Sequence, residues 1–315
     1  MGELDFGAIR GGVEGYIGRS KEIFDADFLD YAEGEIESLQ TKHGSGFSFP
    51  TNEGLRKITK QPEIDKTEND PVLQKVEGII RTTINGVKPQ KEGGIYAGVN
   101  AFHHGHIAYL SKSEAVVAVD FNKLVPAGFA FITGLVAGAK NTKDFREQIG
   151  MLAANPKILA DIFENTELGK TALLTQDDED ASSTRQRLLK SFISVMDEFD
   201  PAIHGADRIP PVFCADEDAY NYFRTLVLQD KVAGAKAKLQ GDGLMGILAK
   251  SMDTFKVKNP EINTLYTSSC FDPRFLGPKE RGKFFAKLKE EGYSNIQIVE
   301  SFLNSGWIVY DINKK

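Results

Sequence analysis

Residues Gly93 to Asp120 read GGIYAGVNAFHHGHIAYLSKSEAVVAVD, and this stretch decides the fold. Gly93 to Asn100 is a short apolar run bounded by glycine and asparagine, as a strand buried on both faces of a parallel sheet should be. Ala101 to Ser113 reads as a loop turning into a short helix, and Glu114 to Val119 as a second buried strand closed abruptly by Asp120-Phe121-Asn122. Strand, loop, helix, strand and terminal acid make a βαβ unit, because parallel neighbours need a crossover and a helix is the usual one.

Upstream, Pro71 to Asn85 carries Val72, Leu73, Val76, Ile79, Ile80 and Ile84 at helical spacing, with Pro71 suited to a first turn. Residues 1–70 mix glycine-rich turns with one apolar-periodic piece, Ile23 to Leu39, and are expected to form an N-terminal extension or cap of low helical content. Downstream, 123–139 and 143–200 read as helical, with Asn141-Thr142-Lys143 as a start signal and Gln176 to Ser183 as an acidic, exposed break. That block exceeds what a crossover needs, so 143–208 is expected to be an inserted helical lobe or lid.

The core pattern resumes with a short strand at Ile209 to Phe213 and a helix bearing Tyr220, Phe223, Leu226 and Val227 on one face. Ala235 to Leu239 alternates with period two and runs into Gly241-Asp242-Gly243; a helix (Leu244 to Phe255), a strand (Ile262 to Ser268) and an amphipathic helix (Gly277 to Glu291) follow. Ile296 to Phe302 and Trp307 to Ile312 are two strands joined around Asn304-Ser305-Gly306, which is hairpin chemistry. The expected architecture is α/β: a Rossmann-like, doubly wound, mostly parallel sheet in two halves, 71–142 and 209–315. The helical insertion 143–208 separates them, and the N-terminal cap 1–70 precedes them.

The chain has 315 residues, 41% hydrophobic and 26% charged, which suits a globular protein with a real core. Its net charge of −7 argues against general affinity for nucleic acid or anionic membranes, since neutralising phosphates needs a surplus of Lys and Arg. Cys214 and Cys270 are far apart and encode neither a disulfide framework nor a thiolate zinc site, so a reduced, cytoplasmic setting is expected. The first twenty residues lack a basic segment followed by an apolar one, and the most apolar stretch, Leu124 to Ala139, is interrupted by Pro126 and three glycines. Neither a signal peptide nor a membrane span is expected.

In an open α/β sheet the ligand lies beyond the carboxyl ends of the strands. The first crossover offers backbone N–H groups there, and an acid ending the second strand accepts from ribose hydroxyls. Gly98, Asn100 and Asp120 hold those places, the acid following the glycine by 22 positions. A strict GxGxxG is missing, since the loop runs Gly98-Val-Asn-Ala-Phe-His-His-Gly105. A pyrophosphate wants tight glycine turns, so the pattern favours an adenosine cofactor without phosphates over NAD. Asp120 has a plainer reading too, as an acid capping the next helix.

These features resemble class I S-adenosylmethionine-dependent transferases: a strand ending in Gly98-Val99-Asn100, the acid Asp120 after strand two, Gly241-Asp242 after strand three, and a polar tip from Tyr266 to Ser269 on strand four. The resemblance spans roughly residues 72–312 with one large insertion. It implies Asp120 on the ribose, Gly98 and Asn100 beside the methionine part and Asp242 near the adenine amino group. Tyr96, Phe121 and Asn122 complete the expected cofactor-binding set. It departs from the family in its histidine-bearing first loop and in lacking an Asn-Pro-Pro-Tyr signature on strand four. The implied reaction is transfer of a methyl or aminocarboxypropyl group to a small molecule or a protein side chain, for which alignment and an optional base suffice.

His104, His106, Tyr266 and Ser268 are the candidate catalytic residues. Imidazole, with its pKa near ~6.5, suits proton transfer at neutral pH. His103, His104 and His106 also open a rival reading, a divalent transition-metal site, to which His43 or His204 or an acid would have to contribute. Structural and capping roles remain open for the histidines, as does a plain turn acid for Asp242 and simple strand formers for Tyr266 to Ser269. Arg208, Arg224 and Arg274 each suit a carboxylate substrate or a surface ion pair, and Trp307 suits the core. A non-catalytic module that kept the fold but lost the cofactor is the third reading.

Overall fold

The computed structural model describes residues 4–25, 80–82, 86–89, 93–99, 103–120, 124–154, 158, 213–238, 242–268, 270–271, 277–293, 295–302 and 306–312. Among them run α1 (Phe6–Phe24), β1 (Ile80–Thr82), β2 (Ile95–Gly98), α2 (His104–Ser111), β3 (Ala115–Asp120), α3 (Leu124–Gly138), α4 (Thr142–Ala154), α5 (Glu217–Leu228), β4 (Val232–Lys236), α6 (Asp242–Thr254), β5 (Ile262–Ser268), α7 (Gly277–Glu290), β6 (Gln297–Phe302) and β7 (Gly306–Asp311). The seven strands form one mixed sheet in the order β1-β7-β6-β5-β2-β3-β4. The pairs β2–β3, β3–β4, β2–β5 and β5–β6 are parallel, while β7 is antiparallel to both β6 and β1. The protein is therefore α/β with a mostly parallel sheet.

Chain direction across that sheet positions the site. From β2 the chain steps outward to β3 and β4, then returns to the other side of β2 for β5 and β6. Neighbouring residues on a strand face opposite ways, and the two faces carry separate cores. Tyr96, Val116, Ala118, Tyr266 and Val299 pack with α1, α2, α3 and α5, whereas Ala97, Val117, Val119, Leu265 and Ile298 pack with α6 and α7. Helices on both faces explain why the strands read as continuous apolar runs.

The N-terminal region departs from its expected low helical content. Asp5 caps a 19-residue helix by accepting from Ala8 N at 2.9 Å, and Ile9, Val13, Tyr16, Ile17, Ser20, Ile23 and Phe24 form its buried stripe. Its glycines serve packing instead of turns: a Cβ on Gly12 would lie 2.6 Å from Ala137 Cβ, and one on Gly134 would lie 2.6 Å from Val13 Cγ2. The loss of both side chains lets α1 and α3 approach closely. Further along, Ser20 Oγ accepts from Gly234 N at 2.8 Å. In β4 the alternate residues face β3, so that amide belongs to the open edge, which α1 thus covers.

A helix expected over 71–85 is replaced, at Ile80–Thr82, by the edge strand β1 paired with Trp307 to Val309. Ile79, Ile80, Thr82, Thr83 and Ile84 are β-branched, and that preference overrides the apolar spacing. The remainder of 71–85 lies outside the described residues. Strand β4 spans Val232–Lys236, three residues before the expected Ala235 to Leu239, because a strand buried on both faces lacks the alternation. Phe213, expected to close a strand, instead starts the 3-10 turn Phe213–Ala215. Of the expected insertion 143–208, the structure describes α4 and Ile158; the rest, including Arg208 and His204, lies outside.

Candidate functional site

The carboxyl ends of β2, β3, β5 and β6 share one end of the sheet, and the order β3-β2-β5 reverses there. Helix α2 starts directly after β2, and its first residues are buried among the side chains of α3 and α5. Tyr96 and His104 lie at its base, both 0% exposed, with the tyrosine hydroxyl 2.7 Å from His104 Nδ1. The His104 ring stands edge-on to Phe129 at 4.9 Å. Burial raises the Tyr96 phenol well above its ordinary range, and nearby Tyr266 raises it further, so Tyr96 stays neutral.

His103 turns toward Tyr266, whose ring centroid is 5.7 Å from its own. His106 points elsewhere, toward Tyr109 at 6.1 Å. Burial pushes the His106 imidazole down to about 4, partly opposed by Asp216 and reinforced by His103. It is therefore a neutral ring at pH 7, and its Nδ1 has no hydrogen-bond partner among the described residues. The three histidines thus diverge along one helix, each with its own surroundings. Among the described residues no group of three or more His, Cys, Asp or Glu side chains is arranged to hold a metal ion.

Asp120 is the last residue of β3; its carbonyl accepts from Ala237 N at 3.0 Å and its side chain is half-buried. After β5 the chain turns through a bond from Cys270 N to Thr267 O at 3.2 Å. Burial pushes the Cys270 thiol up to about 12, with Asp120 and Glu300 adding to the rise, which places both acids near this turn. Glu300 on β6 is engaged by Arg281 of α7, with Nε at 3.1 Å and the second nitrogen at 2.8 Å, and by the Tyr310 hydroxyl of β7. Both charged partners are 1% exposed, and the guanidinium lies over the Phe271 ring at 5.5 Å. Sequence reading missed this pair, since nothing in the local pattern links positions 281 and 300.

Of the expected cofactor and catalytic residues, Gly98, Asp120 and Tyr266 meet at this end of the sheet, while Tyr96, His104 and His106 are core side chains beside it. Asp242 is set apart: it opens α6 with a side chain 97% exposed, and Lys287 of α7 binds it. The hydrogen bond from Lys287, and then its charge, hold the Asp242 carboxyl below its usual range. Ser268 ends β5 in backbone terms; its side chain, together with Asn100, Phe121, Asn122, Ser269, Arg274 and His43, lies outside the described residues. Arg224 Nε donates to Ala139 O at 2.6 Å and so closes the end of α3.

Residues 78–270 match the model of a family described as a domain of unknown function, DUF7790. The match covers more than half of the chain, from just before β1 to the turn after β5, and the chain belongs to that family. A comparison with curated proteins finds no match.

Proposed function

We propose that this protein is a Rossmann-like transferase that binds S-adenosylmethionine at the carboxyl end of β2 and moves its methyl or aminocarboxypropyl group to a small molecule or a protein side chain in the cytoplasm. The observation that carries the reading is the position of Asp120. It ends the strand next to β2, at the reversal of strand order, with a half-buried carboxylate. An acid in that place is suited to accept from the two ribose hydroxyls of an adenosine ligand. The five parallel strands, taken in chain order, run 3-2-1-4-5 across the sheet, which supports the Rossmann-like winding.

The surroundings of Gly98 favour a ligand without phosphates. In dinucleotide sites glycines let the backbone approach the pyrophosphate. Here the space beside Gly98 is filled by the Tyr96 hydroxyl and by His104 Nδ1, where a Cβ would come within 3.1 Å of the imidazole nitrogen. Tyr266 and His103 offer an aromatic wall beside that end of β2, and proximity of an acceptor to the sulfonium carbon would do most of the chemical work.

The test is calorimetry and thermal shift with S-adenosylmethionine, S-adenosylhomocysteine, NAD and NADP. Binding of the two sulfur compounds, and not of the dinucleotides, is expected. Asp120→Ala should abolish that binding while keeping the melting temperature within a few degrees. Unchanged affinity in Asp120→Ala removes the assignment.

A further inference from the structure

We propose that Thr267 is a ligand-contacting residue, its hydroxyl held at the β2/β5 reversal to hydrogen-bond an uncharged polar group of the adenosine cofactor. This rests on the cofactor reading above. Three observations meet at this residue. Thr267 is 0% exposed, and its Oγ1 has no hydrogen-bond partner among the described residues. A buried hydroxyl without a partner costs stability that valine, of the same shape, would not cost. The register of β5 against β6 also slips here: Tyr266 pairs with Val299 and Ser268 with Glu300, leaving Thr267 as the extra residue of a bulge. Bulges gather beside sites because they re-aim a side chain or end a pairing. Finally, on the other side of β5, Val99 N donates to Tyr266 O at 3.0 Å, so Thr267 sits where β2 and β5 part company.

Orphaning alone does not single this residue out, because Thr264 Oγ1 is equally buried and equally without a partner among the described residues. Position separates the two. Thr264 lies within β5, opposite Tyr96 on one side and Gln297 on the other, with a paired strand on each side although the β2 register slips just before it, at Asn263. Thr267 lies one residue past the last β2–β5 pair, Gly98 with Tyr266. A hydroxyl both donates and accepts, so it suits a neutral ring nitrogen, an amino group or a ribose hydroxyl.

The experiment measures the melting temperature and S-adenosylhomocysteine affinity of the full chain and of Thr267→Val, Thr267→Ser and Thr264→Val. Thr267→Val should melt no lower than the parent without ligand, yet bind about tenfold more weakly, the loss of one buried hydrogen bond. Thr267→Ser and Thr264→Val should bind within about twofold of the parent. A lower melting temperature for Thr267→Val overturns the proposal, because the hydroxyl then has a partner inside the protein. Parent-like affinity in Thr267→Val overturns it too, and leaves the cofactor reading standing. A parent chain that binds no S-adenosylhomocysteine overturns both.

Discussion

The Tyr96 hydroxyl and His104 Nδ1, 2.7 Å apart, occupy the space that a side chain on Gly98 would need. A strand residue and a helix residue eight positions on are thereby locked across the first loop. Gly98→Ala drives a methyl into this pair, and neither ring has room to move. We expect a loss of about 1–3 kcal/mol, measured by the denaturant midpoint. Tyr96→Phe removes the nearest colliding atom and leaves Cζ at 2.7 Å, so the double variant should recover part of the loss. Additive losses would show that the two positions do not share this space.

The buried pair of Arg281 and Glu300 ties α7 to β6, and Tyr310 brings in β7. Glu300→Leu strands a guanidinium away from water and should cost about 3–5 kcal/mol. Arg281→Met combined with Glu300→Leu removes both charges and should be more stable than Glu300→Leu alone. If the double variant is the less stable of the two in urea, the pair is not acting as a desolvated ion pair.

Covering the edge of β4 depends on Ser20, which accepts from Gly234 N and donates to Tyr16 O at 2.7 Å. Ser20→Ala leaves a buried amide without its acceptor, at about 1–3 kcal/mol. Hydrogen exchange at Gly234 should accelerate more than at Ala233, whose amide faces β3. Equal acceleration at both would mean that the whole helix has come away.

His106 gives the protein an acid-sensitive element. Its folded pKa of about 4 lies below the ordinary 6.5, so above pH 6.5 both folded and unfolded chains hold the ring neutral and its contribution is complete. Between 6.5 and 4 the unfolded chain takes up the proton first, and stability falls as pH falls, by about 3 kcal/mol over that window. Below 4 both states are protonated and this loss stops. His106→Gln should flatten the fall between pH 7 and 4.5 by about that amount. Identical pH profiles for parent and variant would contradict it.

Much of the sheet was legible in the chain. The strands at Ile95–Gly98, Ala115–Asp120 and Ile262–Ser268, and the hairpin from Gln297 to Asp311, stand close to where apolar runs and their Gly, Asn and Asp boundaries put them. Burial on both faces demands such runs whatever the partners are, so the pattern survives without knowledge of the neighbours. The glycines of α1 misled for the opposite reason: Gly12 is informative only together with Gly134 on another helix. At Ile80 to Thr82 two local signals, apolar spacing and β-branching, disagreed, and pairing with β7 decided between them.

For the site, the sequence by itself determined that an acid ends the second strand and that three histidines gather in the segment between the two strands. Tertiary structure alone decided what each does. It seats His104 on Tyr96, turns His103 to Tyr266 and His106 to Tyr109, draws Asp242 away to Lys287, and leaves a threonine hydroxyl buried at the end of β5. The physical reason is range. Strand burial and helix spacing are written within a few residues, whereas a side chain's partner, burial and pKa depend on which distant segment packs against it.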